Sequence, residues 1–319
     1  MFYKNKKVLV TGGTGFVGTH IVEALLQEKA KIIVPLHRRK PIIKNKNITF
    51  IKADLTRQAD CLKVCAGVDY AFHAAGEVSA AAATVNNPMP PITANLILTS
   101  QILQAAWSTN IKRLMIFSSS TGYPLAKHPL KEEEMWRADP PPVYFGYGWM
   151  RRYFEKLSIF VHGRSNTKIA LVRPTAVYGR YDDFNPKTSH VIPALIRRAV
   201  EKQNPFKVWG TGEEVRDFLH IRDLARGCLL ALEKYAVCDP INIGCGKTIT
   251  VKELVTIINR AAGNKDVKLK FDHTKPATVP YRYLSVAKAK KVLRFSPAVS
   301  IADGLADTVD WYTKSKSAK

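Results

Sequence analysis

The 319-residue sequence predicts a doubly wound α/β fold: a Rossmann-type parallel sheet with helices on both faces, followed by a smaller C-terminal α/β substrate-binding domain. Two observations predict it. Short β-branched runs alternate with longer amphipathic stretches through the first half of the chain. A glycine-rich turn joins the first run to the first such stretch. Parallel neighbours need crossovers of a dozen or more residues, which amphipathic stretches of this length supply.

In order, "KKVLVTG" reads as a strand and "FVGTHIVEALLQEK" as an amphipathic helix. "AKIIVPLH", "ITFIKADL" and "VDYAFHAAG" read as further strands, "NLILTSQILQAAWSTN" as a helix and "KRLMIFSSS" as a strand. A helix then runs to about His162, and "KIALVRPTAVYG" is the next strand. After Gly179 prolines and irregular runs replace the alternation, as a substrate-facing region would. Residues 1–177 with about 215–245 are therefore expected to form the dinucleotide-binding domain, and 178–214 with 246–319 the substrate-binding domain.

The composition, 46% apolar and 24% charged, is that of a globular protein. Lys and Arg number 49 against 26 Asp and Glu, a net charge of +23, which favours anionic partners. The charge is spread along the chain, with clusters at Lys4–Lys7, His37–Lys46 and Lys314–Lys319. No arginine-rich block interleaved with aromatics occurs, so a phosphorylated small molecule is expected rather than nucleic acid. Five cysteines form no C-x-x-C pair and lack nearby histidines, which points to reduced thiols and no metal site. The chain enters a strand by its seventh residue, and no apolar run approaches the ~20 residues of a membrane span. A cytoplasmic protein without membrane attachment is expected.

"TGGTGFVG" is the first chemical motif: Gly12, Gly13, Thr14, Gly15, Phe16, Val17 and Gly18. Gly13, Gly15 and Gly18 match G-x-G-x-x-G, and Gly12, Gly15 and Gly18 fit G-x-x-G-x-x-G. Between a strand and a helix, such glycines permit a tight turn and let backbone amides approach a pyrophosphate. An NAD site usually carries Asp or Glu about 20 residues further on. Here no acid lies between Glu28 and Asp54, and the second strand ends in "PLHRRK". His37, Arg38 and Arg39 suit a 2′-phosphate, which favours NADP(H) while leaving NAD(H) open.

"VYFGYGWMRRYFEKL" holds three tyrosines and two adjacent arginines. Its spacing alone is compatible with an active-site helix or with aromatic packing. Its context resolves the ambiguity, because the chain resembles the extended short-chain dehydrogenase/reductase family along nearly its whole length. Besides the glycine motif, the resemblance rests on "ADL", "HAAG", "NLILTSQILQAA", "FSSSTGYP", "YGWMRRYFEKL" and "LVRPTAVYG". It implies cofactor contacts at Asp54, Leu55, Ala74, Ala75, Gly76 and Pro174, with Asn95 the family's helix asparagine. The family's Tyr-x-x-x-Lys then falls on Tyr147 and Arg151, which share a helix face. Tyr147 would move the proton and Arg151 would support the tyrosine and the ribose, with arginine standing where the family has lysine. Ser119 falls on the substrate-polarising position.

The second half resembles the GDP-L-fucose synthase branch, which acts with NADPH on a GDP-4-keto-6-deoxy sugar. "SHVIPALIRR", "VWG" and "VRDFLH" carry that resemblance. It implies an epimerisation acid at His190 and substrate contacts at Arg198, Trp209 and Arg216, with Lys275 in "FDHTKPATVPYR" a further polar contact. Thr121 stands where that branch has a cysteine base, and a threonine hydroxyl is too weakly acidic for the role. The expected activity is therefore a 4-keto reductase or C4 epimerase on a sugar nucleotide, GDP favoured, rather than a 3,5-epimerase and reductase combined. The alternatives are a C4 epimerase or dehydratase with tightly bound NAD(P), and a non-catalytic cofactor-binding protein. The resemblance also implies a homodimer packed through the helices near Asn95–Trp107 and Tyr147–Phe160.

Overall fold

The computed structural model describes residues 1–77, 87–274 and 279–317. The first half of the chain contains β1 (Lys7–Thr11), α1 (Phe16–Gln27), β2 (Lys31–Leu36), β3 (Ile48–Lys52), α2 (Gln58–Cys65) and β4 (Tyr70–His73). Then come α3 (Met89–Ser108), β5 (Arg113–Phe117), α4 (Phe145–Arg164) and β6 (Lys168–Pro174). The rest holds β7 (Ala176–Tyr178), α5 (Val191–Val200), β8 (Phe206–Trp209), β9 (Val215–Arg216), β10 (Phe218–His220), α6 (Ile221–Lys234) and β11 (Ile241–Ile243). It ends with β12 (Ile249–Thr250), α7 (Val251–Ala261), β13 (Leu269–Asp272), β14 (Tyr281–Arg282), α8 (Ala287–Leu293) and α9 (Ile301–Ser317).

Seven strands form one sheet in the order β11-β6-β5-β4-β1-β2-β3, all parallel. Omitting β11, this is the doubly wound order 3-2-1-4-5-6, with its switch point between β1 and β4. A parallel sheet covered on both faces needs strands apolar on both faces, and Val8, Leu9 and Val10 are fully buried. Alternation divides them: Val8 and Val10 pack with α1 and α6, and Leu9 with α2, α3 and α4. Met115 and Leu114 in β5, and Ala170 and Ile169 in β6, divide the same way.

Three small sheets lie outside the main one: β7 with β10, β9 between β12 and β14, and β8 with β13. "KIALVRPTAVYG" is thus two strands rather than one. It breaks at Thr175, whose hydroxyl donates to the buried Asp217 carboxylate (3.4 Å), and β7 leaves the main sheet. Helix α2 also goes beyond the sequence reading; its eight residues carry too few apolar side chains to show a helical period. Helix α3 starts earlier than its apolar run, with prolines in its first turn where missing amides cost nothing.

Candidate active site

The glycine turn is built for close backbone approach. Gly12 has φ +66°, and a Cβ there would lie 2.6 Å from Ala74 O and Ala75 N. A Cβ on Gly18 would lie 2.1 Å from Gly12 O, so that glycine lets α1 seat on the turn. A Cβ on Gly15 would lie 3.3 Å from Gly12 O, a tight contact with the backbone of the same turn. No side chain caps α1 and no acid lies in its first turn, so its first amides are available to an anion. Helix α7, by contrast, carries a Thr250/Glu253 capping box. Thr14, Phe16 and Val17 are half-buried along the same turn.

Beyond the β1–β4 switch point, "HAAG" is fixed by a buried network. The Thr11 hydroxyl accepts from the Ala75 amide (3.1 Å) and is hydrogen-bonded to His73 Nδ1 (2.8 Å). The other ring nitrogen, Nε2, is hydrogen-bonded to Thr99 Oγ1 at 3.3 Å. Burial, reinforced by the Arg151 charge, pushes the His73 pKa down to about 3, so the ring is neutral. Asn95 accepts from the Glu77 amide and donates to the Glu77 and Pro91 carbonyls, holding the backbone beside Gly76. Asp54 accepts from the Thr56 amide and hydroxyl, which holds its carboxyl below the usual range. Leu55 beside it is buried. His37, Arg38 and Arg39 lie on an exposed bend after β2, and no ion pair engages either arginine among the described residues.

Helix α4 brings Tyr147 and Arg151 to the carboxyl end of β5. Arg151 Nη1 donates to Phe117 O (3.1 Å), and its guanidinium lies 5.6 Å from the Phe154 ring centre. Burial lowers the Arg151 pKa to about 10, with the nearby Tyr147 phenol opposing the shift, so the group is cationic at neutral pH. The chain after β5 turns sharply at Ser120–Gly122, with Ser119 Oγ accepting from the Thr121 amide (3.2 Å). Ser118 Oγ and Thr121 Oγ1 are buried without hydrogen-bond partners among the described residues. Buried hydroxyls of this kind fit a site that completes its bonding with a ligand.

Four residues that sequence reasoning missed hold this geometry: Gly148, Arg152, Glu155 and Arg173. Gly148 lets α4 approach the turn, since a Cβ there would lie 2.7 Å from Thr121 O and 2.5 Å from Pro140 Cγ. A glycine inside a helix costs about 1 kcal/mol and was a legible signal for such an approach. Arg152 is buried and donates to Gly122 O (2.9 Å), Met135 O and Ala138 O. Glu155 pairs bidentately with Arg173 (2.7 and 2.6 Å), which also donates to Tyr123 Oη (2.8 Å) and Glu132 O (2.6 Å).

On the substrate side, His190 precedes α5 and is exposed. The surrounding protein holds its pKa down; Asp183 opposes that shift and Arg282 adds to it. Arg198 donates to Ala194 O (3.2 Å) and Lys207 O and stacks over Phe206. Trp209, 53% exposed at the end of β8, is free to meet a ligand face. Arg216 is buried in β9 and donates to the carbonyls of Val215 (2.8 Å), Pro280 (3.2 Å) and Val279. Pro174 ends β6 in register with Ile243. Lys275 lies outside the described residues. The five cysteines are free thiols, and no group of three or more His, Cys, Asp or Glu among the described residues could hold a metal.

A glycine turn at a bare helix terminus after β1, with Arg151 of the Tyr/Arg helix tied to the carboxyl end of β5 in the same sheet, fits a nicotinamide dinucleotide. Known proteins agree. The family model described as "NAD dependent epimerase/dehydratase family" matches residues 8–244. GDP-L-fucose synthase 1 of Arabidopsis thaliana is 32% identical, covering 98% of this chain and 94% of that protein. GDP-L-fucose synthase of Escherichia coli strain K12 is 31% identical, covering 78% and 81%. The solved UDP-glucose 4-epimerase of Thermotoga maritima superposes with a TM-score of 0.85 at 26% identity, covering 97% and 99%. The chain belongs to the NAD-dependent epimerase/dehydratase family and is an enzyme of the extended short-chain dehydrogenase/reductase type.

Proposed function

We propose that this enzyme is an NADP(H)-dependent reductase acting on the 4-keto group of a 6-deoxy sugar nucleotide, with GDP the favoured nucleotide. The placement of Tyr147 and Arg151 on one face of α4, with Arg151 reaching the end of β5, carries the reading. Gly12 to Gly18 cradle the pyrophosphate, and Arg38 and Arg39 meet the 2′-phosphate that distinguishes NADP from NAD. Once bound, a reduced nicotinamide supplies the hydride. Tyr147 donates its phenolic proton to the sugar oxygen, and Ser119 orients that oxygen. The Arg151 cation stabilises the phenolate left behind. The GDP preference is supported by the relatives named GDP-L-fucose synthase. Thr121 favours a variant without 3,5-epimerisation, because a threonine hydroxyl cannot supply a ready base. The same threonine supports a second reading, C4 epimerisation with retained cofactor, which the likeness to a 4-epimerase also favours.

The proposed division assigns 1–177 with about 215–245 to the cofactor and 178–214 with 246–319 to the substrate; what supports it is that the seven-stranded sheet draws its strands from β1 to β6 and β11. A homodimer through α3 and α4 is supported by their exposed apolar side chains, Ile97, Trp107, Trp149, Tyr153, Ile159 and Phe160. Free thiols and the lack of any helix able to cross a membrane among the described residues accord with a cytoplasmic setting. The test is NADPH oxidation with a GDP-4-keto-6-deoxyhexose. Tyr147→Phe should lower kcat by at least about 10² if proton transfer is general-acid catalysed; an unaffected variant would exclude the assignment. Turnover without net cofactor consumption would favour the epimerase.

A further inference from the structure

All strands of the seven-stranded sheet run the same way, so their amino ends share one edge. That edge lies opposite the glycine turn after β1 and the Arg151 contact after β5. It is lined with lysines, and backbone hydrogen bonds fix their order. The Lys31 amide donates to Lys6 O (2.9 Å), the Asp69 amide to Lys7 O (2.9 Å), the Lys112 amide to Asp69 O (3.1 Å) and the Lys168 amide to Lys112 O (3.0 Å). The Ile32 amide donates to Asn47 O (2.8 Å), which brings Lys46 and Asn47 to the entry of β2. The strand entries β3-β2-β1-β4-β5-β6 therefore present Lys46, Lys31, Lys6 with Lys7, Asp69, Lys112 and Lys168 in succession. With neighbouring strands about 4.8 Å apart, the row is about 24 Å long. Two basic clusters of the sequence meet here, because a parallel connection carries the chain from the carboxyl end of β2 to the amino end of β3. Lys6 is half-buried and the other five lysines of the row are exposed. Asp69 is the row's one acid, and Lys112 pairs with it at 2.7 Å. The remaining lysines of the row enter no ion pair among the described residues. Six lysines less one carboxylate leave +5 along the row. Helices of a doubly wound sheet run against the strands, so their carboxyl ends favour cations at this edge, but that field fades within a turn. Helices α1, α3 and α4 close at Gln27, Ser108 and Arg164, each four residues before Lys31, Lys112 or Lys168. Most of the charge is left without a counterpart in the fold.

We propose that this amino edge of the sheet is a docking surface for a bilayer of anionic lipids. A row of exposed ammonium groups matches a plane of headgroup phosphates, and each lysine close to such a plane strengthens attachment about fivefold. A nucleic-acid strand would call for exposed rings on which bases stack. The rings beside the row are packed on one another instead, Phe2 on Tyr70 at 4.8 Å and on Tyr3 at 4.9 Å. The row also holds lysines alone, point charges rather than the guanidinium forks that grip individual phosphates bidentately. Attachment is peripheral, since no helix among the described residues is long and apolar enough to cross a membrane. It gives the chain a salt-reversible membrane contact that a sequence without an apolar span does not announce. Because the glycine turn and the Arg151 contact lie at the opposite edge, a docked enzyme keeps its cofactor site turned to solvent. The surface is independent of the reaction assigned above.

Vesicle co-sedimentation of the full chain tests this without requiring turnover. Phosphatidylcholine vesicles with about 30% phosphatidylglycerol should retain the protein at about 0.05 M salt and release it at about 0.5 M, where the Debye length falls to ~4 Å. Phosphatidylcholine alone should retain little. Lys31→Gln and Lys168→Gln should each weaken partitioning about fivefold, and together about 25-fold, as separate contributions to one surface. Lys314→Gln with Lys316→Gln removes the same charge from α9, which packs on α5 and α7. That pair should change partitioning by less than about twofold, because attraction fades within a Debye length of the surface. NADPH binding, followed by cofactor fluorescence, should equal the wild type in every variant and so report that each is folded. If the double variant does not bind NADPH, Lys46→Gln before β3 reads the fivefold loss instead. Equal retention on neutral and anionic vesicles, no retention on anionic vesicles at low salt, or a Lys314/Lys316 loss as large as the Lys31/Lys168 loss would each overturn the proposal. So would an oligonucleotide duplex that binds through Lys31 and Lys168 and excludes the vesicles, which would give the edge to nucleic acid.

Discussion

Arg151 and Arg152 are adjacent, of one type, and do different things. A helix turns about 100° per residue, so the two guanidiniums leave α4 on different sides. Arg152 goes inward to three carbonyls and lies between the Trp149 and Trp136 rings at 4.9 and 5.4 Å, which fixes the 122–138 segment. Arg151 stays beside Tyr147 and reaches Phe117 O. Its charge, not its shape, is what the proposed chemistry requires, since it stabilises a developing phenolate. Arg151→Lys should therefore keep kcat within about tenfold, while Arg151→Ala should lower it by about 10², the scale of impaired acid–base catalysis. Steady-state kinetics with saturating NADPH would decide; a wild-type kcat in Arg151→Ala would remove Arg151 from the mechanism.

At the scale of elements, the site depends on how closely α4 rides on the turn after β5. Gly148→Ala would place a methyl 2.7 Å from Thr121 O and 2.5 Å from Pro140 Cγ, so the helix must move outward. Overpacking of this kind costs about 1–3 kcal/mol, and the displacement falls on Tyr147, one residue away. The expected outcome is a kcat loss larger than the fall in thermal stability implies, with NADPH affinity retained because the glycine turn is untouched. Equal loss of cofactor affinity would mean that the whole sheet had shifted. What the sequence disclosed at this scale is whatever short-range rules govern. The β1–α1 turn was legible because its glycines meet a local steric demand, and the Tyr147/Arg151 register because helical spacing is local. The break at Thr175 was not, since it is set by Asp217, 42 residues away.

For the whole molecule, a net charge of +23 and several buried titrating groups make stability depend on pH in opposing ways. Buried His220 has a pKa lowered to about 4, chiefly by desolvation, and its ring nitrogens have no partners among the described residues. In the unfolded chain a histidine protonates near pH 6.5. Between those values the unfolded state binds the extra proton, so His220 lowers stability as pH falls from about 6.5 towards 4. Buried Asp217 acts the other way. Desolvation raises its pKa to about 6 against the bonds it accepts from the Gly246 and Cys245 amides, so the folded state takes up its proton first and gains stability on acidification. Denaturant titrations at pH 7.5 and 5 should separate the two. His220→Phe should remove about 2 kcal/mol of acid-induced destabilisation, one and a half pH units at 1.36 kcal/mol each. Asp217→Asn should change the same difference with the opposite sign, making the protein more acid-sensitive. If both variants shift the pH 5 to pH 7.5 difference in one direction, these two groups do not set the acid limb, and repulsion among the excess cations does.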